Sequence, residues 1–397
     1  MLQTELTKKQ TLIMAVTAGV CVANVYYSQP LLKDIAMSFH IQNKDAGLVS
    51  VLAQAGYGIG LFLITPLGDK IDRKRLLLFL QSALILSLLS ISVFNNIYVL
   101  YGCSLAIGIF AITAQIVLPM AAAMVTKNRG AVVGKIFTGV LIGVLSARVI
   151  SGFIGEYFGW RAVYLISSIL VAATAVLMQL NFKSKKESFD GHYFKLLESV
   201  LNQVGRFSAL RRSALTGALI FGTLSAFWTT LTFHLSSSPL NLSTDQIGLF
   251  GLLAVMGALL APLFGRLSDK SNNPKKPLLL AALLVLISII LLHLFPLSIP
   301  VISISVLLLD IGVQAAQVTN LALIYTLDTQ ASSRINTVYM TAYFFGGSFG
   351  AFCGLKSFQS GGWNAVTWQM MIFVLLAILV ILLGRTFASK KAKVIPQ

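Results

Sequence analysis

Two charged residues, Arg148 and Asp310, lie inside long apolar stretches of this sequence. A charged side chain near the centre of a membrane span costs about 2.5–3.5 kcal/mol on insertion scales, so each of them needs a partner or water. One interpretation is proton coupling, in which Asp310 takes up a proton and Arg148 tunes that acid or binds an anionic group. The other is a fixed structural ion pair, and the sequence leaves both open.

Polar side chains recur at helical spacing around Asp310. Asp310, Gln314 and Gln317 follow an i, i+4, i+7 pattern and share one helix face, with Asn320 at its edge. A polar stripe on a membrane helix predicts a face that lines a water-filled cavity. Three other apolar stretches carry weaker candidates for a cavity lining: Asn24 and Tyr27; Gln115; and Thr223, Phe227, Trp228 and Thr230. For each of these residues alone, hydrogen bonding between helices explains its presence as well as substrate contact does.

The stretches that carry these residues are long enough to cross a membrane. The 397-residue chain is 56% hydrophobic and only 11% charged, and its mean hydropathy is +0.84. About 20 apolar residues make one membrane-spanning helix. Twelve spans are predicted, at 11–32, 46–67, 76–94, 98–125, 133–155, 162–181, 213–235, 245–264, 277–296, 299–325, 336–357 and 366–384. They are too long and continuous for barrel strands, so we expect an all-α integral membrane protein rather than a soluble enzyme.

The basic residues are unequally distributed between the connecting segments. If the N-terminus is inside and the spans alternate, 25 of the 30 lysines and arginines fall in inside segments and four in outside segments. This asymmetry is the positive-inside pattern and predicts that both termini are cytoplasmic. It also gives the net charge of +17 a role in orientation, which argues against nucleic-acid binding.

Three landmarks recur at nearly one offset along the chain. They are Asp69-Lys70 with Asp269-Lys270 at 200 residues, Gly159-Trp160 with Gly362-Trp363 at 203, and Arg129 with Arg334 at 205. The repeat predicts two pseudo-symmetric halves of six helices each, a design that membrane transporters use. Their predicted limits are 1–181 and 213–397, joined by a basic, polar linker at 182–212.

Small residues concentrate in the second, fifth, eighth and eleventh spans. They are Gly56, Gly58 and Gly60; Gly139, Gly143 and Gly152; Gly248, Gly251 and Gly257; and Gly346, Gly350 and Gly354. Such spacing lets helix backbones approach closely. We expect the two halves to meet along these faces. We also expect Gln29-Pro30 to bend the outer end of the first span.

Together these features resemble the major facilitator superfamily of transporters across the whole chain. The resemblance is carried by the two halves, by the Asp-Lys-x-x-Arg-Lys loop at 69–74, and by the Gly-x-x-x-Gly run in the fifth span. The segments 24–30 and 334–340 are similar to a bacterial sugar-efflux or drug-efflux branch. The loop motif is degraded, since Thr65 and Asp72 stand where the family has glycine. Arg148 stands where the family's antiporter motif has proline, which weakens the transfer of an antiporter label.

The resemblance implies a gate at the cytoplasmic edge. In it, Asp69 caps the N-terminus of the eleventh span and pairs with Arg129, and the gating motif also includes Arg73, Lys74 and Asp269. The alternative for the basic residues of this motif is a role in orienting the protein in the membrane. The resemblance also implies that spans one, four, seven and ten line a central cavity, in agreement with the polar stripes.

The expected function is secondary active transport by alternating access, as proton-coupled efflux of a small organic solute. The expected setting is the bacterial cytoplasmic membrane, with a monomer in the lipid bilayer and with substrate and protons as the partners. An uptake symporter or an uncoupled facilitator is the alternative, and an intramembrane enzyme is a remote one. We expect no metal, because the chain has only four histidines and no acid or cysteine stands at ligand spacing from them. We expect no other cofactor, and ATP in particular is not expected because the glycine-rich runs lack the Lys-Ser/Thr of a phosphate loop.

Overall fold

The computed structural model describes residues 6–125, 128–184, 193–255, 275–328 and 331–384. Regular structure in these residues is helical, with a 3₁₀ helix at Thr65–Asp69. The α-helices are α1 (Lys8–Ala23), α2 (Ser28–Phe39), α3 (Asn43–Leu63), α4 (Arg73–Val93), α5 (Ile97–Phe110), α6 (Thr113–Met124), α7 (Arg129–Phe158), α8 (Trp160–Asn181), α9 (Tyr193–Arg206), α10 (Ser208–Leu235), α11 (Thr244–Val255), α12 (Lys275–Leu294), α13 (Ile299–Tyr325) and α14 (Ser332–Leu383).

The helices match the predicted membrane spans. Ten segments of the described chain are long and apolar enough to cross a membrane, and α14, with 52 residues, contains two of the predicted spans. The short apolar helix α11 begins the eighth span, and the rest of that span lies outside the described residues. The prediction of an all-α membrane protein is therefore confirmed. We call α1–α8 the N-terminal half and α10–α14 the C-terminal half.

Two spans predicted as continuous helices are broken. The first is interrupted between α1 and α2, where the Asn24 amide donates to the carbonyls of Val20 and Cys21 at 2.9 and 3.2 Å. Such local bonds compete with regular helix bonds. The bend expected at Gln29-Pro30 lies earlier, because Pro30 is in the first turn of α2, where the missing N–H costs no helix bond. The fourth span is interrupted between α5 and α6.

The linker contains a helix of its own. Helix α9 buries Leu196, Val200 and Gln203, and α10 begins at Ser208, before the predicted start at 213. The sequence prediction placed this boundary too late because it followed hydropathy. Polar residues in the first turns of a span can reach the membrane edge with their side chains and remain helical.

The predicted repeat is visible in the backbone. Gly159 ends α7 with φ of +82°, and Gly362 breaks α14 with φ of +60°. Positive φ favours glycine, since other residues meet a steric penalty there. Each glycine is followed by a buried tryptophan, Trp160 or Trp363, that begins the next span.

The repeat extends to helix packing. Gly139 and Gly143 of α7 press against the backbone of α1 at Ala15 and Gly19, and Gly346 and Gly350 of α14 press in the same way against α10. These contacts lie within one half, so the expectation that such faces join the halves was wrong for these glycines. Spacing of small residues predicts a close approach but cannot name the partner helix.

Other glycines do lie between the halves, and for Gly152 and Gly248 of the predicted set the expectation is correct. Gly152 of α7 meets α11 at Thr244 and Gly248, and Gly47 of α3 meets Leu355 of α14. The α1–α2 pair and α10 are the most deeply buried spans. These two spans therefore form the centre of the molecule, and the candidate site lies where they meet α7, α13 and α14.

We expect alanine at Gly143 to destabilise the protein, because a methyl group there would overlap the Gly19 backbone. Overpacking of this kind costs about 1–3 kcal/mol. Gly134, on the same helix, is the matched control, because no described residue lies within 4 Å of its added methyl group. The unfolding temperature of each purified variant in detergent measures the effect. Equal unfolding temperatures for Gly143→Ala and Gly134→Ala would contradict this packing.

Candidate functional site

Arg148 is held from both halves of the protein. It lies on α7 and is 4% exposed. Its Nε donates a hydrogen bond to Gln29 Oε1 at 2.7 Å. Its guanidinium carbon lies 4.1 Å from the centroid of the Trp228 ring on α10 and 5.2 Å from that of Tyr26. These cation–π contacts stabilise a desolvated arginine. These contacts hold the Arg148 side chain between the break in the first span and the middle of the seventh span.

Asp310 lies nearby but is not bonded to Arg148. It is 3% exposed on α13, and its buried Oδ2 has no hydrogen-bond partner in the part of the chain that the structure describes. The two charges interact electrostatically, yet within the described part of the chain they share no nitrogen–oxygen contact within 4.0 Å. A buried carboxylate oxygen without a partner is costly. The site can therefore accept a donor, either a proton or a polar group of a ligand.

An aromatic layer adjoins the two charges. It consists of Tyr57, Phe221, Tyr343 and Phe344, from α3, α10 and α14. The rings of Phe221 and Tyr343 stack at 4.0 Å, and those of Tyr57 and Phe344 are 4.3 Å apart. The Tyr343 hydroxyl interacts electrostatically with Asp310 and with Tyr26. The layer therefore joins the two halves beside the site.

Hydrogen bonds between the halves surround the site. Thr232 donates to the Gln29 carbonyl at 2.7 Å, and Ser225 donates to Gln54 Oε1 at 2.8 Å. Nearer the start of α11, the Thr244 hydroxyl donates to Asp34, and the Thr244 backbone N–H donates to Glu156, each at 2.9 Å.

The predicted cavity residues are dispersed. Trp228 is in the site. Gln115, Gln314 and Gln317 are half-buried, and Gln317 approaches the Met340 sulfur at 4.0 Å. Their roles as cavity residues remain predictions.

The remaining predicted residues have other surroundings. Asn24 accepts a hydrogen bond from Ser167 of α8, and Tyr27 also interacts with Ser167. Thr223 and Thr230 donate to carbonyls of their own helix. Phe227 packs against Trp363, and Asn320 lines a groove near the ends of α13 and α14.

Sequence reasoning missed several residues of this region, among them Tyr26, Gln29, Gln54 and Tyr343. Gln29 and Gln54 are amides within apolar spans, and that signal was present in the sequence. Tyr26 and Tyr343 gave no such signal, because buried tyrosines are common in membrane helices and only the fold turns these two toward the charges.

The predicted cytoplasmic gate is described in part. Arg73 Nε donates to the Gly68 carbonyl at 2.9 Å, and Lys74 Nζ donates to the Gln179 carbonyl at 2.8 Å. The 3₁₀ helix lies beside the start of α14, where Thr65 and Arg334 line one pocket. Asp269 lies outside the described residues, as do the side chains of Asp69 and Arg129. The Asp69–Arg129 pair and the capping of the eleventh span remain predictions.

The geometry is that of a membrane transporter, with a buried polar site between two pseudo-symmetric helical halves. Comparison with known proteins agrees: the Major Facilitator Superfamily profile matches residues 14–351. The chain belongs to this superfamily. It is therefore a multi-pass membrane transporter of small solutes and not an enzyme.

Related proteins carry transporter names. The chain is 34% identical over 363 residues to the "Uncharacterized transporter YgaY" of Escherichia coli O157:H7, covering 91% of this chain and 92% of that protein. It is 28% identical over 342 residues to a "Probable sugar efflux transporter" of Helicobacter acinonychis, covering 82% of each.

Solved structures support the fold. A peptide transporter, POT, in complex with alafosfalin superposes with a TM-score of 0.74 at 12% identity, covering 94% of each chain. A bacterial homologue of the human lysosomal transporter Spinster, inward-facing and unoccupied, gives a TM-score of 0.71 at 14% identity, covering 94% of this chain and 95% of that one.

We expect Arg148→Lys to destabilise the protein although it keeps the charge. Lysine lacks the planar group that stacks on Trp228 and the Nε that binds Gln29, so the loss should be about 1–3 kcal/mol. Arg161→Lys is the matched control, since Arg161 also covers a tryptophan, Trp160 at 4.2 Å, but is not buried. Unfolding temperatures in detergent measure both changes. A loss no larger for Arg148→Lys than for Arg161→Lys would contradict the described role of the buried arginine.

Proposed function

We propose that this protein is a secondary active transporter that exports a small organic solute in exchange for protons. The observation that carries the proposal is the buried carboxylate of Asp310, whose Oδ2 has no hydrogen-bond partner among the described residues, near an arginine that belongs to the opposite half. Asp310 is the proposed proton carrier. Arg148 is the proposed partner that links its protonation to the position of the halves.

The coupling follows from charge and distance. Asp310 belongs to the C-terminal half, whereas Arg148 lies on α7 of the N-terminal half. A rocking movement of the halves changes the separation of these two groups, and with it the free energy of the ionised carboxylate. Protonation is thereby linked to the direction in which the cavity opens. Because Arg148 is anchored to Gln29 and Trp228 rather than to Asp310, the carboxylate can change its state without releasing the arginine.

The proposed arrangement in the membrane follows the charge asymmetry. We propose halves at 1–181 and 213–397 with a linker at 182–212, both termini in the cytoplasm of a bacterium, and a monomer in the inner membrane. The mirrored packing of α1 on α7 and of α10 on α14 supports the division into halves.

The substrate proposed for the first tests is a sugar or another small polar solute. The relatives named as sugar efflux transporters point in this direction. Among the described residues, the indole N–H of Trp228 and Oδ2 of Asp310 are one donor and one acceptor without a hydrogen-bond partner. Aromatic faces beside such groups suit a ring with hydroxyl groups.

The first test is proton flux in liposomes that contain the purified protein and an interior pH dye. Sugars, amino acids, dyes and chelators are added in turn. We expect at least one to evoke a proton flux that is lost in Asp310→Asn, since the amide cannot carry a proton, while the unfolding temperature stays close to wild type. Asp45→Asn, at the start of α3, is the control and should retain the flux. Undiminished substrate-driven flux in Asp310→Asn would exclude the proposed proton role.

Exchange of labelled substrate separates coupled from uncoupled transport. We expect counterflow in Asp310→Asn to persist without a pH gradient, and the gradient to accelerate only wild-type efflux. Gradient-independent rates in wild type would indicate a facilitator. Accumulation driven by an inward proton gradient would indicate an uptake symporter. Either result would overturn the proposed exchange.

A further inference from the structure

Charged side chains hold the two halves together at the end of the molecule where α2 and α7 end and α11 begins. Asp34 Oδ2 accepts a hydrogen bond from the Thr244 hydroxyl, and Glu156 Oε2 accepts one from the Thr244 backbone N–H, each at 2.9 Å. Lys33 Nζ donates to the Ser236 carbonyl at 3.4 Å. We call these five residues the outer clasp, because the proposed orientation places them on the side away from the cytoplasm.

The charges of the outer clasp match the polarity of the helix ends that they meet. Thr244 is the first residue of α11, where N–H groups without a partner in the helix form its positive end. Ser236 follows the last residue of α10, where carbonyl groups form its negative end. The N-terminal half therefore presents two carboxylates to a positive helix end and an ammonium group to a negative one.

The two acids of the outer clasp are unfavourable within their own half. Glu156 is two residues from the end of α7, and the C-terminal end of a helix disfavours a negative charge. Asp34 interacts electrostatically with Glu156, and two like charges repel each other. Lys33 offsets part of this repulsion through its own interaction with Asp34. The start of α11 supplies further compensation from the opposite half, so these contacts favour closure of the halves at this end.

The outer clasp holds the same pair of helices that positions Arg148. A methyl group added at Gly248 of α11 would lie 2.8 Å from the Arg148 carbonyl oxygen, and one added at Gly251 would lie 3.0 Å from Arg148 Cβ. Glu156 is about two helical turns beyond Arg148 on α7. Separation of α7 from α11 at this end would therefore break the bonds to Thr244 and release the backbone beside Arg148.

We propose that the outer clasp keeps the outer end of the transporter closed, and that Asp34 and Glu156 are positioning residues of the transport cycle. The proposal rests on the proposed alternating access but not on proton coupling or on Asp310. Opening of the outer end requires Thr244 to leave both carboxylates and Ser236 to leave Lys33. The strength of these contacts thus sets the balance between the outward-closed and outward-open states.

The experiment measures the distance between the halves at the outer end. Spin labels are attached to Val93→Cys and Leu297→Cys, which are exposed positions on opposite halves and outside the clasp. The full chain carries alanine at its three native cysteines and is studied in liposomes by double electron–electron resonance. The ratio of long to short distances reports the ratio of open to closed outer ends, and the unfolding temperature confirms that each variant is folded.

Variants on both sides of the clasp should open the outer end. In the double variant Asp34→Asn, Glu156→Gln, we expect the open-to-closed ratio to rise about tenfold, because charge-assisted hydrogen bonds are lost while side-chain shape is kept. Thr244→Val removes the bond to Asp34 from the opposite half and should raise the ratio by less. Asp245→Asn is the matched control, because Asp245 lies at the same helix end but accepts its bond from Ser243 of its own half. It should retain the wild-type ratio.

Two outcomes would overturn the proposal. The first is a wild-type ratio in Thr244→Val, whose fold does not depend on replacing an acid, together with a wild-type ratio in the double variant. The second is an equal rise in Asp245→Asn, which would assign the effect to the stability of α11 alone. Because the distances require no substrate and no pH gradient, failure of the liposome proton-flux test would contradict the proposed function without changing this result.

Discussion

An arginine buried in the middle of a membrane protein must find its partners within the protein, and the centre of this molecule is organised around that requirement. Lipid offers Arg148 no hydrogen bonds, so its charge has to be met by aromatic faces, an amide and a carboxylate. Gln29 and Tyr26 reach it because the first span breaks between α1 and α2, and Trp228 reaches it because the seventh span lies opposite. Among the described residues, Oδ2 of Asp310 has no hydrogen-bond partner.

The helix contacts of the molecule are of two kinds, close backbone contacts and side-chain hydrogen bonds. Within each half, glycines bring backbones together, as Gly143 does with Gly19 and Gly350 with Gly222. Such contacts have little room to slide, since interiors are close-packed. Between the halves, side-chain hydrogen bonds such as that from Ser225 to Gln54 lie near the site, beside one close glycine contact of Gly152 with Gly248. Such hydrogen bonds can break and re-form, as the proposed alternating access would require.

Hydropathy and charge predicted much of the fold, because a membrane span must be apolar and continuous over about 20 residues. The repeat was also readable, since Gly159-Trp160 and Gly362-Trp363 reflect the same backbone turn. The sequence analysis did not predict the break at 24–27 or the helix at 193–206, because local hydrogen bonds and amphipathic packing determine these features rather than hydropathy. In the candidate site, the cost of burying charge singled out Arg148 and Asp310. Tyr343 was not predicted as a site residue, because nothing in the surrounding sequence distinguishes it from a lipid-facing or core tyrosine.

The sequence by itself determined the class of protein, the positions of the spans and the two residues whose charges the membrane makes costly. These follow from transfer energies that act on each segment separately. Only the tertiary structure decided which helix each glycine meets, and that Arg148 is bound by Gln29 and Trp228 rather than paired directly with Asp310. Those outcomes depend on contacts between residues far apart in the chain, and such contacts are set by the packing of whole helices.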